Sequence, residues 1–151
     1  MRALYLISFC VFASFASATQ AAISLNTDDI WLRESVPGAE NGAGFGALLN
    51  PSNEDVVIVG AYSEVAGDVE IHQHVSRNGQ MSMEAIEALT VPAGEEVKLQ
   101  PGGYHLMLLG LKQRLTTGDE HEITLLLASG EAITMMAEVK PLIEDAHNEH
   151  H

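Results

Sequence analysis

An imidazole and a thioether lie two residues apart in the apolar segment that follows the Pro-Gly-Gly turn at residues 101–103: His105 and Met107. In a β-strand, residues i and i+2 point to the same face. His105 and Met107 would therefore project together, while Leu106 and Leu108 would point the other way, into a core. A ring nitrogen and a soft sulfur on one face form half of a metal site, so the other half must come from elsewhere in the chain.

A second group of candidate ligands lies on a predicted hairpin. In a strand over Val69–Ser76, His72 and His74 share the face opposite the apolar residues. The Asn-Gly dipeptide that follows is typical of a two-residue hairpin turn. In the returning strand, Met81 and Met83 share one face, so either histidine could meet either methionine.

Two imidazoles and two thioethers form a donor set for a soft monovalent cation. Thioethers select Cu(I), and imidazole also suits copper. Zinc sites more often recruit cysteine or carboxylate beside histidine. Periodicity by itself does not show that the two His/Met pairs converge.

The rest of the chain predicts the β-structure that must position these residues. From Ala22 onward, short apolar segments alternate with turn signals, which is typical of an all-β sandwich or barrel. No linker or internal repeat is present in the sequence, and we expect one domain over residues 22–140. The predicted strands are Ile30–Arg33, Ala43–Asn50, Val56–Tyr62, Val69–Ser76, Gln80–Ala88, Glu95–Leu99, Tyr104–Leu109, His121–Leu127 and Ala132–Val139.

The N-terminal segment has the composition of a cleaved signal peptide. A positive start at Arg2 precedes an apolar run over residues 4–15, and small residues follow. The run is shorter than the roughly 20 residues of a membrane span. We predict a signal peptide over residues 1–21, cleaved between residues 18 and 22, and no membrane insertion. Cleavage would also remove Cys10, the one cysteine in the sequence.

The charge balance limits the classes of partner. Seven Lys and Arg stand against 21 Asp and Glu, for a net charge of −14. This charge repels phosphate backbones and anionic lipids, so we expect no nucleic-acid partner. Solubility explains the acidity as well as an attraction for cations does. Residues 141–151 are polar and are predicted to form a flexible tail.

The spacing of the candidate ligands resembles the copper-binding motif of the PCuAC family of periplasmic copper chaperones. The segment 101–112 is similar to that family's signature stretch, as are residues 91–94 and 31–38. The resemblance covers residues 31–139. The motif, as it stands here, is His72-x10-Met83-x21-His105-x-Met107.

The resemblance implies a cupredoxin-like Greek-key β-barrel that binds one Cu(I) through His72, Met83, His105 and Met107. It implies a periplasmic chaperone, not an enzyme. The cargo would go to the copper centre of cytochrome c oxidase, with the oxidase's copper-binding subunit and Sco-type copper proteins as partners. Copper sequestration through the same site is the alternative. A monomer is expected, with a metal-bridged dimer as the alternative state.

Several other residues have open roles. Many family members have a methionine two residues after the first ligand, where this chain has His74; His74 is either an auxiliary ligand or a solvated side chain. Met81 is expected to be a packing residue, and His121 a structural one. The tail histidines are either an auxiliary Cu(II) site, as in similar extensions of the family, or idle. They are His147, His150 and His151.

Two other function classes fit the residues poorly. Blue-copper electron carriers need a Cys thiolate beside two histidines, and the predicted mature chain has none. A metal-dependent enzyme would need a general base or a bound-water position beside the metal. No paired carboxylates and no Ser-His-Asp arrangement occur near the candidate ligands in the sequence.

Overall fold

A computed structural model describes residues 25–141, and every regular element in that range is a β-strand. The predicted signal peptide, Cys10 and the tail histidines lie outside the described residues. No helix within this range is long and apolar enough to cross a membrane. The strands are β1 Trp31–Arg33, β2 Gly42–Leu49, β3 Val56–Tyr62, β4 Ala66–Arg77, β5 Gln80–Ala85, β6 Leu89–Val91, β7 Glu96–Leu99, β8 His105–Leu111, β9 Glu120–Leu127 and β10 Ala132–Lys140.

Seven of the strands close into a barrel in the order β4-β8-β2-β1-β10-β9-β3, with β3 pairing back onto β4. Neighbours in the barrel are antiparallel except β1 and β10, which are parallel. The remaining strands extend this barrel: β5 pairs with β4, β6 with β3, and β7 with β2. The predicted fold class, an all-β barrel, is confirmed.

The core lies inside the barrel, and on β4 and β8 its apolar residues alternate with residues of the outer face. On β8, Leu106 and Leu108 are buried, as are Val69 and Ile71 on β4. These residues face each other across the β4–β8 pair, where Ile71 is opposite Leu106 and Val69 is opposite Leu108. The residues between them therefore point to the outer face of the barrel, which is where the candidate ligands lie.

The structure differs from the predicted strands mainly after the hairpin. The predicted strand Gln80–Ala88 ends at Ala85, and a separate strand, Leu89–Val91, pairs with β3 instead of β4. The intervening segment contains neither glycine nor proline, so no turn residue marked the break. Strand β4 is also longer than predicted, because its first half pairs with β8 and its second half carries the hairpin.

Candidate metal site

The two halves of the candidate site meet where β4 pairs with β8. His72 lies directly opposite His105, and Glu70 lies opposite Met107. Residues opposite each other in an antiparallel pair share a face of the sheet. The centroids of the two imidazole rings are 5.7 Å apart. The pairing therefore places one imidazole from each predicted half side by side on the outside of the barrel.

The hairpin adds one methionine and one further histidine. Asn78 and Gly79 have φ values of 53° and 78°, which is the left-handed pair of a type I′ turn. The register that this turn sets places Met83 opposite His74, and the His74 ring centroid is 5.5 Å from that of His105. The His72 and His74 rings therefore both lie beside the His105 ring, and Met83 lies opposite His74.

These side chains line a cleft of about 320 Å³ on the outer face. His74, Met83, His105 and Met107 all contribute to its wall, whereas His72 lies beside the cleft, next to the His105 ring. The remaining lining residues are Arg33, Asn41, Gly42, Ala43, Phe45, Pro101 and Gly102.

The environment of His105 favours its neutral imidazole form. Its side chain is buried, and Nδ1–H donates to the carbonyl of Gly103 at 3.3 Å, which leaves the Nε2 lone pair free. Burial lowers the pKa of His105 below its ordinary value of 6.5, and repulsion from His72, His74 and Arg33 lowers it further, against the opposing effect of the Gly103 carbonyl. Metals bind the neutral imidazole, so this environment favours the ligating form at neutral pH.

His72 has one engaged nitrogen and one unpaired nitrogen. Its Nε2 lies 2.6 Å from Oε2 of Glu70. Its Nδ1 is buried and has no hydrogen-bond partner among the described residues. A buried nitrogen without a partner is costly unless a ligand occupies it, so this atom fits a bound ion.

Both methionines of β5 are exposed, which was not expected for Met81. Met83 is 49% exposed and lines the cleft. Met81, expected to be a packing residue, is 66% exposed, so that prediction is wrong. Met81 lies opposite Ser76 near the end of the hairpin, outside the barrel, where the described chain offers no core to cover it.

The two other histidines of interest have mixed environments. His74 is half-buried in the cleft, not freely solvated, and its backbone N–H donates to the carbonyl of Gly103. His121 lies on β9, away from the cleft, and its Nε2 is buried without a partner among the described residues.

Within residues 25–141, no three His, Cys, Asp or Glu side chains are placed to hold one metal ion. The wall of the cleft also contains the thioether side chains of Met83 and Met107.

Three neighbours of the site were assigned no role from the sequence. Phe45 packs 6.3 Å from His105 between ring centroids, and the guanidinium of Arg33 lies 5.6 Å above the Phe45 ring. Glu70 contacts His72. The contact of Glu70 with His72 could have been predicted, because Glu70 shares the outer face of β4 two residues before His72. Phe45 and Arg33 come from β2 and β1; the pairing of β2 with β8, and of β1 with β2, is not visible in any local pattern.

Comparison with known proteins assigns the family. The model described as "Putative lipoprotein LpqE-like" matches residues 25–139. This chain belongs to the LpqE-like family. It is 32% identical to "Putative lipoprotein Lxx21020" of Leifsonia xyli subsp. xyli over 129 residues, which cover 85% of this chain and 76% of that protein. It is 33% identical to the uncharacterised protein RP573 of Rickettsia prowazekii over 85 residues, which cover 56% of this chain and 47% of that protein.

Solved structures share the LpqE-like chain's barrel. The apo PCuAC domain from PmoF1 has a TM-score of 0.67 at 21% identity, with 80% of this chain and 97% of that chain covered. The copper-bound PCuAC domain from PmoF2 has a TM-score of 0.67 at 20% identity, with the same shares covered. The solution structure of Cu(I)-DR1885 from Deinococcus radiodurans has a TM-score of 0.66 at 28% identity, with 87% of each chain covered.

Proposed function

We propose that this LpqE-like protein is a Cu(I)-binding metallochaperone of the periplasm and that its ligands are His72, Met83, His105 and Met107. The observation that best supports this proposal is the β4–β8 register, which sets His72 opposite His105 on the outer face of the barrel. The copper-bound PCuAC domain from PmoF2 and Cu(I)-DR1885 have the same fold, which supports the choice of metal.

The donor chemistry supports Cu(I) over other ions. Thioethers are soft ligands that select Cu(I) and contribute no charge. The two imidazoles each have one nitrogen engaged by a protein acceptor and one nitrogen left for a metal. Zinc sites use three or four His, Cys or carboxylate ligands, and calcium and magnesium sites use several oxygen donors. No three His, Cys, Asp or Glu side chains among the described residues are placed to hold one ion.

The exposure of the site supports release of the ion, as delivery requires. Met83 is 49% exposed on a hairpin that projects from the barrel, so a partner's ligand could displace its sulfur first. A storage site would be better served by enclosed ligands. We therefore prefer delivery to sequestration, although both use the same donor set.

The recipient is the copper centre of cytochrome c oxidase in this proposal, and Sco-type copper proteins are the accompanying partners. The PCuAC resemblance supports both, as it supports export by the predicted signal peptide and a carrier without catalytic activity. A monomer is expected. Exposed Met83 is also the residue through which copper could bridge two molecules.

The proposal also includes auxiliary copper contacts by His74 and by the tail histidines. His74 lies opposite Met83 and lines the cleft, which supports a contact with copper during its entry or exit. The tail residues His147, His150 and His151 remain candidates for a separate Cu(II) site.

The ligand set is tested by anaerobic Cu(I) titration against a chromophoric competitor. The chain without residues 1–21 should bind one Cu(I), and Met83→Ala and Met107→Ala should bind it more weakly. Met136→Ala is the matched control, because Met136 is a 56% exposed methionine on β10, outside the cleft. Unchanged stoichiometry and affinity in both cleft variants would refute the four-ligand proposal.

Delivery is tested separately from binding. The Cu(I)-loaded protein is mixed with the apo copper-binding domain of the oxidase, with and without a Sco-type protein, and the copper content of each is measured after separation. Transfer is expected to the oxidase domain. Retention of the ion at every ratio would favour sequestration.

A further inference from the structure

The carboxylate of Glu70 lies against one ligand of the proposed copper site. Its Oε2 is 2.6 Å from Nε2 of His72, and the two residues share the outer face of β4. Across the strand pair, Met107 lies opposite Glu70 and His105 opposite His72. Glu70 therefore belongs to the same patch of the barrel as three of the four proposed ligands.

This contact determines which ring nitrogen of His72 can accept a metal. A carboxylate accepts hydrogen bonds, so the proton of neutral His72 lies on Nε2 and Nδ1 keeps its lone pair. That second nitrogen is the buried atom without a partner among the described residues. In the opposite tautomer, Nε2 and the carboxylate would face each other as two acceptors at 2.6 Å, which is repulsive.

The second imidazole has the complementary arrangement. His105 donates Nδ1–H to the carbonyl of Gly103 at 3.3 Å, which leaves Nε2 unprotonated. Each ring is thus held from behind by one protein oxygen, a carboxylate in one case and a backbone carbonyl in the other. Outer acceptors of this kind orient metal-bound imidazoles and fix their tautomers in many metal sites.

We infer that Glu70 is a positioning residue that holds His72 in its Nε2–H tautomer, so that His72 ligates through Nδ1 while His105 ligates through Nε2. The inference rests on the proposed Cu(I) site and adds the ligating atom of each imidazole. Glu70 does not need to ligate the ion itself, since a carboxylate is a poor match for Cu(I) and one of its oxygens is already engaged.

The first test uses the copper-free protein, so it does not depend on metal binding. Long-range ¹H–¹⁵N correlation spectra distinguish the protonated from the unprotonated nitrogen of each histidine ring. The expected result is protonated Nε2 for His72 and protonated Nδ1 for His105. A neutral His72 ring with its proton on Nδ1 in the wild-type protein would overturn the inference, and this measurement needs no variant to fold.

The second test separates the hydrogen bond from the charge. Glu70→Gln keeps a carbonyl oxygen that can accept Nε2–H, whereas Glu70→Ala removes both the acceptor and the charge. Outer acceptors are worth about 10- to 100-fold in metal affinity, so Glu70→Ala should weaken Cu(I) binding by roughly this factor and mix the His72 tautomers. Glu70→Gln should retain the tautomer and most of the affinity.

Asp68→Asn is the matched charge control. Asp68 is exposed on β4, two residues before Glu70, and its Oδ1 accepts the backbone N–H of Val69 at 2.8 Å, a bond that asparagine can keep. This variant should bind Cu(I) like the wild type.

Three results would contradict the positioning role. The first is unchanged Cu(I) affinity in Glu70→Ala. The second is an equal loss of Cu(I) affinity in Glu70→Ala and Glu70→Gln, with Glu70→Gln still in the Nε2–H tautomer. The third is a loss of Cu(I) affinity in Asp68→Asn as large as that in Glu70→Ala. A wild-type protein that binds no Cu(I) but has His72 in the Nε2–H form would instead refute the proposed function.

Discussion

Neighbouring residues of β8 should have opposite phenotypes when truncated, because they point to opposite faces of the barrel. Leu108 is completely buried in the core between β4 and β2, opposite Val69 and Gly42. Met107 points outward into the cleft and is half-buried. We therefore expect Leu108→Ala to lower stability and Met107→Ala to lower copper affinity.

The size of the stability effect follows from the burial of Leu108. Truncating a fully buried leucine to alanine costs about 2–5 kcal/mol, because transfer free energy is lost and a cavity remains. A loss of about 3 kcal/mol would lower the Tm of a domain of this size by roughly 10–15 °C. Met107→Ala removes a side chain that lies at the wall of an open cleft, so its cost should be below about 1.5 kcal/mol.

Thermal unfolding followed by circular dichroism, with and without Cu(I) under anaerobic conditions, measures both effects. A ligand at 100 times its Kd adds about 2.7 kcal/mol of stability, so Cu(I) should raise the Tm of the wild type and of Leu108→Ala by similar amounts. Cu(I) should raise the Tm of Met107→Ala much less. The reasoning fails if Met107→Ala destabilises the apo protein as much as Leu108→Ala does, or if folded Leu108→Ala no longer binds copper.

Three further predictions concern stability. Because burial lowers the pKa of His105 below 6.5, the unfolded chain protonates this imidazole at a higher pH than the folded protein does. The contribution of His105 to the free energy of unfolding should therefore be complete above pH 6.5 and decline below it, until the folded-state pKa is passed. Denaturant unfolding between pH 5 and 7.5 measures this slope, and stability that rises as pH falls there would contradict it. Gly46→Ala should destabilise the barrel severely, because Gly46 has a φ of 139° and an added Cβ would lie 2.3 Å from the carbonyl oxygen of Asp29; a Tm within a few degrees of wild type would disprove this. Asn50→Ala should cost about 1–3 kcal/mol or more, since buried Asn50 Nδ2 donates to the carbonyl of Val91 at 2.9 Å; chemical denaturation measures the loss, and a change below about 0.5 kcal/mol would contradict a role for that bond.

Local patterns were enough to predict most of what lies within one strand or one hairpin. Alternation correctly placed Leu106 and Leu108 in the core and the adjacent His105 and Met107 on the other face. The Asn-Gly turn was correctly predicted, and it sets the register that puts Met83 opposite His74. These features depend on steric rules that act over a few residues, so the sequence displays them directly.

Features that depend on distant strand pairing were not visible in the same way. Periodicity could not show that His72 lies opposite His105, since β4 and β8 are separated by three other strands in the chain. The resemblance to a known motif supplied that expectation. Arg33 and Phe45 were missed for the same reason, because they reach the cleft from β1 and β2. Strand β6 was missed because nothing in the local composition ends β5.

The parallel pairing of β1 with β10 has a consequence for how the protein folds. Trp31 pairs with Glu138, so the barrel cannot close until nearly all of the described chain is present. The β4–β5 hairpin can form early, because its two strands are joined by a two-residue turn, but β8 can complete the ligand set only after long loops have closed. Folding dominated by such distant contacts takes milliseconds to seconds. For the proposed copper site, this order of events means that the two His/Met pairs stay apart in the unfinished chain and come together only in the closed barrel.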